Sequence, residues 1–379
     1  MRIVCPCHMG LESVLKFEVT KIGGEDISVT DGRVAFSGDF RTLVRANLWL
    51  ATAERVLVQL AEFDAVTFEE LFQGVKNIPL EDYIGVNDKF PVKGYSLNSE
   101  LHSIPDCQSI IKKAAVERLK SKYGVSWFEE SGTTMQIRFG IMKNHVSIYL
   151  DSSGSGLHKR GYRRNSNAAP IKETLAAGLV DLAHVRGDSI VCDPFCGSGT
   201  ILIEAAYKAL NIAPGLKRRF VADEWEFIPK NIWEEERAEA LAAIRKDTDF
   251  FAYGYDIDPE CVALTQENCR KAGIQKRVQI RQGDIRDYEN QAGSITICNP
   301  PYGERHLELK EAEKLYGIMG QRFAANRESP CFVISPHEEF EKIFGKKADK
   351  RRKLYNGMLK CQFYMYFAGS PRGLVLPPK

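Results

Sequence analysis

With 379 residues and 44% apolar content, the chain is too long for one small domain and can bury the cores of two or three. No apolar run approaches the roughly 20 residues of a membrane span, and Met1-Arg2-Ile3-Val4-Cys5-Pro6-Cys7 does not resemble a signal peptide, so a cytoplasmic protein is expected. A net charge of +2 excludes nucleic-acid binding by bulk charge, and any such contact must come from clustered cations.

Residues 1 to 62 alternate strand-like and helical stretches: Met1 to Cys5, Gly10 to Ile22, Gly32 to Ser37, Asp39 to Leu48 and Arg55 to Phe63. From Thr67 the pattern predicts a helix (Phe68 to Val75), a strand (Lys89 to Gly94), a long helix (Ile104 to Tyr123) and two alternating strands (Met135 to Ile141, His145 to Leu150). These elements fit an independent α+β module. Ser152-Ser153-Gly154-Ser155-Gly156 reads as a flexible linker.

A strand-like run, Ser189 to Cys192, then leads into Asp193-Pro194-Phe195-Cys196-Gly197-Ser198-Gly199-Thr200 and the helix opening Ile201 to Ala206. Glycines in such a turn let backbone approach a ligand, and the helix N-terminus favours an anionic group. The spacing is neither GxGxxG nor a P-loop. Asp193 would repel a pyrophosphate, yet it suits a ligand carrying an ammonium or sulfonium beside a carboxylate, as S-adenosylmethionine does. The segment from Asn211 to Asp249 is longer than a normal connection and is expected to form an extra helix over the site.

Phe251 to Asp256 reads as the next strand, ending in an acid that could accept from two ribose hydroxyls. Asp258 caps and Pro259 opens a helix through Ala272, stopped by Gly273. A third strand, Val278 to Asp284, ends in an acceptor for an adenine amine. A fourth apolar run ends in Asn299-Pro300-Pro301-Tyr302. Any one aspartate alone is a cap or turn residue. Four successive strand ends carrying Asp193, Asp256, Asp284 and Asn299 converge where open α/β sheets bind ligands.

The last of these explains the chemistry. An exocyclic base amine is a poor nucleophile because its lone pair is delocalised. Two acceptors aimed at its N–H bonds, the Asn299 amide oxygen and the Pro300 carbonyl, would pull it toward tetrahedral geometry. Pro301 stiffens the turn and Tyr302 offers a stacking face. No general base of shifted pKa is needed, since the proton is acidified as the new bond forms. Beyond this, Pro330 to Ser335 predicts a buried strand, and Asn356-Gly357 a tight hairpin leading into a final strand, Cys361 to Phe367.

The order Asp-Pro-Phe-Cys-Gly-Ser-Gly-Thr, Asp-Ile-Asp-Pro, Gly-Asp-Ile and Asn-Pro-Pro-Tyr resembles the Rossmann-fold S-adenosylmethionine-dependent methyltransferases that modify exocyclic amines of nucleic-acid bases. His158 to Arg163, Ala169 to Ala177 and Asn211 to Leu216 resemble the branch with an N-terminal THUMP domain, which acts on guanine N2 of large-subunit ribosomal RNA or transfer RNA. The resemblance implies an α/β Rossmann-like methyltransferase domain (169–379), with a mostly parallel seven-stranded sheet whose last strand is antiparallel. It is preceded by a ferredoxin-like domain (1–62), a THUMP domain (63–152) and a linker (153–168). It implies a cofactor site of Asp193, Phe195, Cys196, Gly197, Gly199, Thr200, Asp256, Ile257, Asp284 and Ile285, and a catalytic turn of Asn299, Pro300, Pro301 and Tyr302. Lys159, Arg160, Tyr162, Arg163 and Arg164, cations interleaved with an aromatic, are expected to contact RNA, whereas the cluster of Lys346, Lys347 and Lys350 to Lys353 reads at least equally as a solvated loop. Adenine N6 methylation and a non-catalytic RNA-binding or ribosome-assembly role are the alternatives. Ten cysteines without Cys-x-x-Cys spacing indicate neither a metal nor disulfides; Cys196 is expected to line the cofactor turn.

Overall fold

The computed structural model describes residues 1–163, 170–289, 291, 293–303, 306–324 and 328–369. The N-terminal half runs β1 (Arg2–Pro6), α1 (Glu12–Lys21), β2 (Glu25–Thr30), β3 (Arg33–Ser37), α2 (Phe40–Trp49), β4 (Leu57–Asp64), α3 (Phe68–Lys76), β5 (Val92–Leu97), α4 (Ile104–Tyr123), β6 (Ile137–Met142) and β7 (His145–Asp151). All seven strands form one sheet in the order β2-β3-β1-β4-β7-β6-β5. The second module is therefore not independent. β4 pairs with β1 on one side and with β7, from Leu57↔Asp151 to Asp64↔His145, on the other. The reason lies in the alternation of inward residues: Ile3, Phe36, Val58, Ile148 and Phe139 share one continuous core with Leu15, Leu43, Leu71 and Ile111 from the helices.

The second half runs α5 (Glu173–Leu182), β8 (Ile190–Asp193), α6 (Thr200–Ala209), α7 (Lys230–Ala242), β9 (Phe251–Asp256), α8 (Pro259–Ala272), β10 (Val278–Gln282), β11 (Ile295–Cys298), α9 (His306–Ala324), β12 (Cys331–Ser335), α10 (Phe340–Phe344), β13 (Lys350–Asn356) and β14 (Leu359–Tyr366). Its sheet order is β10-β9-β8-β11-β12-β14-β13. Pairing is parallel from β10 to β12, and β14 inserts antiparallel between β12 and β13. Chain order reverses between β8 and β11, which opens a crevice at their carboxyl ends. No helix among the described residues is long and apolar enough to cross a membrane.

The two halves are locked together. Leu11 and Val14 of the N-terminal half belong to the core of the second half. Leu11 lies so close to α5 that a Cβ on Gly178 would come within 2.3 Å of it. Arg352 on β13 donates to the Gly10 carbonyl at 2.7 Å and to Ser13 Oγ at 2.8 Å. The expected flexible linker is instead an ordered strap. Ser152 and Ser153 are buried and bonded to Asn47, and Arg218 donates to the carbonyls of Ser153, Ser155 and Gly156. Serine and glycine here satisfy buried polar partners rather than confer freedom.

The extra helix exists as α7 but does not cover the site. Its Glu235, Glu236 and Glu239 pair with Arg41 and Arg45 of α2, with contacts from 2.6 to 3.3 Å. Trp225 and Trp233 pack into the N-terminal core.

Candidate active site

At the carboxyl edge of β8 to β11 lies a cavity of about 640 Å³, a size common for small-molecule sites. Of the residues expected from sequence, Phe195, Gly197, Asp256, Ile257, Asp284, Ile285, Asn299, Pro300, Pro301 and Tyr302 line it. Asp193, Cys196, Gly199 and Thr200 lie behind the wall.

The wall is built by backbone bonding. Asp256 ends β9 and accepts from Gly197 N–H (2.8 Å) and Asp258 N–H (3.0 Å), so one carboxylate joins two turns. From α8, Thr265 donates to the Gly197 carbonyl (2.6 Å) and Asn268 to that of Ser198 (2.9 Å). Gly197 sits at φ +53°, with nothing within 4 Å of where a Cβ would stand, so backbone borders open space there. Gly199, at φ +80°, serves packing instead, since a Cβ would meet Thr265 at 2.7 Å. Cys196, expected to line the turn, is buried behind it and donates its N–H to the Tyr255 carbonyl (2.9 Å). Thr200 opens α6 and accepts from Arg163.

Asp193 is 1% exposed and accepts from Phe195 N–H at 3.0 Å. Burial pushes its carboxyl up to about 8; the Phe195 bond opposes this and the Asp256 charge adds to it. Asp284 accepts from Arg286 N–H at 2.8 Å.

At the other end of the cavity, Asn356 Nδ2 donates to the Tyr302 hydroxyl at 3.2 Å, and that hydroxyl donates to Asn299 Oδ1. The hydroxyl thus accepts from one amide and donates to the Asn299 oxygen, tying both amides into one chain of hydrogen bonds. Burial raises the Tyr302 phenol well above its usual value, so it remains a donor. Tyr316 of α9 anchors the turn by donating to the Pro301 carbonyl at 2.8 Å.

The proposed RNA patch is largely structural. Arg160 is 2% exposed and meets Glu204 through Nε and Nη2, both at 3.2 Å; it also donates to the carbonyls of Ala51 (2.6 Å) and Leu157 (2.9 Å). Tyr162 is 1% exposed. Arg163 is turned to Thr200 and Glu173. These three are therefore corrected from RNA contacts to packing and pairing groups. Lys159 is exposed, and Arg164 lies outside the described residues.

Sequence reasoning gave no role to Lys172, Arg286, Asn356 or Leu359, which also line the cavity. Lys172 is held at 3.0 Å by Glu54 of the N-terminal half. Burial would raise the Glu54 carboxyl, yet bonds from His8 and Thr174 and the Lys172 charge hold it well below the usual range. The Asn356-Gly357 pair marks a tight turn in the sequence, and the fold brings that turn to the cavity.

Family models match in the same order as the architecture: an RlmL ferredoxin-like domain over residues 2–57, a THUMP domain over 65–151, and an RMKL-like methyltransferase domain over 160–365. The Bacillus subtilis protein YpsC, named a putative RNA methyltransferase, is 44% identical over 97% of this chain and 96% of its own. A ribosomal RNA large subunit methyltransferase K/L of Photobacterium profundum is 33% identical over 95% of this chain, which spans about half (52%) of that relative's length. The crystal structure of SMU.472, described as a putative methyltransferase complexed with SAH, is 38% identical, covers 97% of this chain and 98% of its own, and superposes with a TM-score of 0.91. With its ferredoxin-like and THUMP domains ahead of the catalytic sheet, the chain belongs to the RMKL-like methyltransferase family.

Proposed function

We propose that this protein transfers the methyl group of S-adenosylmethionine to the exocyclic N2 of a guanine in RNA, with large-subunit ribosomal RNA the favoured class. The observation that carries this is the chain Asn356, Tyr302, Asn299, which holds an amide oxygen in a fixed direction at one end of the cavity, opposite the acids Asp256 and Asp284. The THUMP domain and the naming of the K/L relatives support RNA, and ribosomal RNA in particular.

The residues suit the cofactor. Asp256 offers acceptors for ribose hydroxyls and Asp284 for the adenine amine. Ile257, 64% exposed, and Ile285 give apolar surface for the ring, and the open face at Gly197 admits the amino-acid end. Bound there, the cofactor supplies an electrophilic methyl on a sulfonium. Asn299 and the Pro300 carbonyl accept from the two amine N–H bonds, Tyr302 stacks on the extruded base, and rate comes from positioning. Nucleoside analysis of RNA methylated by the purified protein tests the reading: N2-methylguanosine is expected, and N6-methyladenosine or no product overturns it.

Asp256→Ala is expected to raise the dissociation constant for S-adenosylhomocysteine at least tenfold by calorimetry, since it removes the ribose acceptor and releases Gly197 N–H. An unchanged constant would count against the assignment.

Asp193 adds a pH dependence. With its carboxyl raised from 3.8 to about 8, the free protein keeps the proton at neutral pH; stability from this group is full below about pH 4 and is lost as pH rises through 8. Asp193 lies behind the wall and does not touch the ligand, but the field of an ammonium at the open Gly197 face favours its carboxylate, so binding below pH 8 expels that proton. Affinity for S-adenosylhomocysteine is therefore expected to weaken between pH 8 and 6, by at most about tenfold per unit. Asp193→Asn should flatten the profile; a slope that persists in this variant rejects the role.

A further inference from the structure

We propose that the β13–β14 hairpin is a finger that enters structured RNA, with Lys353 and Lys360 gripping phosphates near the target and Met358 filling the stack that the extruded base leaves. This rests on the reading of the site as an RNA-base methyltransferase.

The hairpin is aimed at the site by the sheet itself. β14 runs antiparallel to both β12 and β13, so β13 points the same way as the parallel strands and its end lies on the same edge as Asn299. Asn356, Gly357 and Leu359 line the cavity, and Asn356 is bonded to Tyr302. Gly357, at φ +62°, closes the tight turn. A tip anchored in this way does not drift from the acceptor turn.

At that tip Met358 is 97% exposed, and the adjoining Leu359 is 44% exposed. An apolar side chain held wholly in water on a rigid turn has no packing role in the fold. A base buried in a helix cannot reach a cavity of about 640 Å³ without leaving its stack. Proteins that open stacked bases insert apolar wedges of this kind, methionine among them.

The pleat gives the finger a charged side. Tyr355 pairs with Lys360 and Lys353 with Gln362, so Lys353, Tyr355 and Lys360 share one face. Lys353, Lys360 and, further back, Lys350 are exposed. Lys353 Nζ lies 5.4 Å from the Tyr355 ring centroid. The neighbouring cations have other duties: Arg351 meets Glu341 at 3.4 Å, and Arg352 turns to the N-terminal half. Cations flanking an aromatic and an apolar tip match the phosphates and base faces of RNA, whereas an apolar protein surface would leave both lysines without a counter-charge.

The test compares the full-length wild type, Met358→Ser and the double variant Lys353→Gln/Lys360→Gln. Two RNAs are used: large-subunit ribosomal RNA from cells lacking the protein, and a short unpaired oligonucleotide carrying the guanine mapped in it. Met358→Ser is expected to lower kcat/KM about tenfold on the folded RNA and at most about twofold on the oligonucleotide, with unchanged affinity for S-adenosylhomocysteine. The double variant is expected to reduce the slope of log affinity against log salt by about 2. Wild-type rates for Met358→Ser on folded RNA, or equal losses on both RNAs, overturn the wedge; an unchanged salt slope overturns the grip. Absence of methyl transfer by the wild type to either RNA overturns the methyltransferase reading and the finger with it, whereas transfer by the wild type with unimpaired variants overturns the finger alone.

Discussion

Asn299→Ala is expected to slow methyl transfer at least about a hundredfold while leaving the affinity for S-adenosylhomocysteine within about twofold. The magnitude follows from what the side chain does: a fixed dipole aimed at charge that develops in the transition state is worth about 10² to 10³ in rate. Separation of rate from affinity follows from position, because Asn299 and Asp256 end different strands. Tyr302→Phe should give a smaller loss, on the order of tenfold. It keeps the ring but removes the hydroxyl that donates to Asn299 Oδ1 and holds that side chain in place. Single-turnover transfer of a tritiated methyl, with calorimetry on the same samples, checks both. Full activity of Asn299→Ala would sink the mechanism.

Much of this site was legible because it sits where apolar runs stop. Phe251 to Asp256 is a strand with its acid at the tip, and the Asp258-Pro259 cap and Gly273 stop bound α8 as local chemistry requires. Elements that face water were harder to read. β2 is an edge strand exposed almost throughout, and β13 is a run of cations, so neither shows an alternation to detect. Long-range partners were harder still. The direction of α7 depends on Arg41 and Arg45, nearly 200 residues earlier, and the order of the Ser-Gly strap on Arg218 and Asn47. The sequence does carry one signal of such a partner: Glu204 interrupts the otherwise apolar opening Ile201 to Ala206 of a buried helix, and a buried carboxylate needs a cation. That cation is Arg160, which in sequence looked like part of an RNA patch.

Arg160→Ala therefore separates the two readings of that arginine. As a buried partner of Glu204, its loss leaves an unpaired carboxylate and two unpaired carbonyls. A cost of about 3 to 5 kcal/mol is expected, lowering the melting temperature on the order of 10 °C. Arg160→Lys should recover only part of this, because an ammonium cannot meet both Glu204 oxygens and the Ala51 and Leu157 carbonyls in one plane. The double change Arg160→Met/Glu204→Leu should be milder than Arg160→Ala, since it removes both charges together. RNA affinity measured below the melting transition should keep its salt slope in all three variants, since no phosphate contact is lost. A variant that kept its melting temperature and lost a unit of salt slope would return Arg160 to the RNA surface. The buried pair would then have to open in solution, which the 2% exposure of Arg160 argues against.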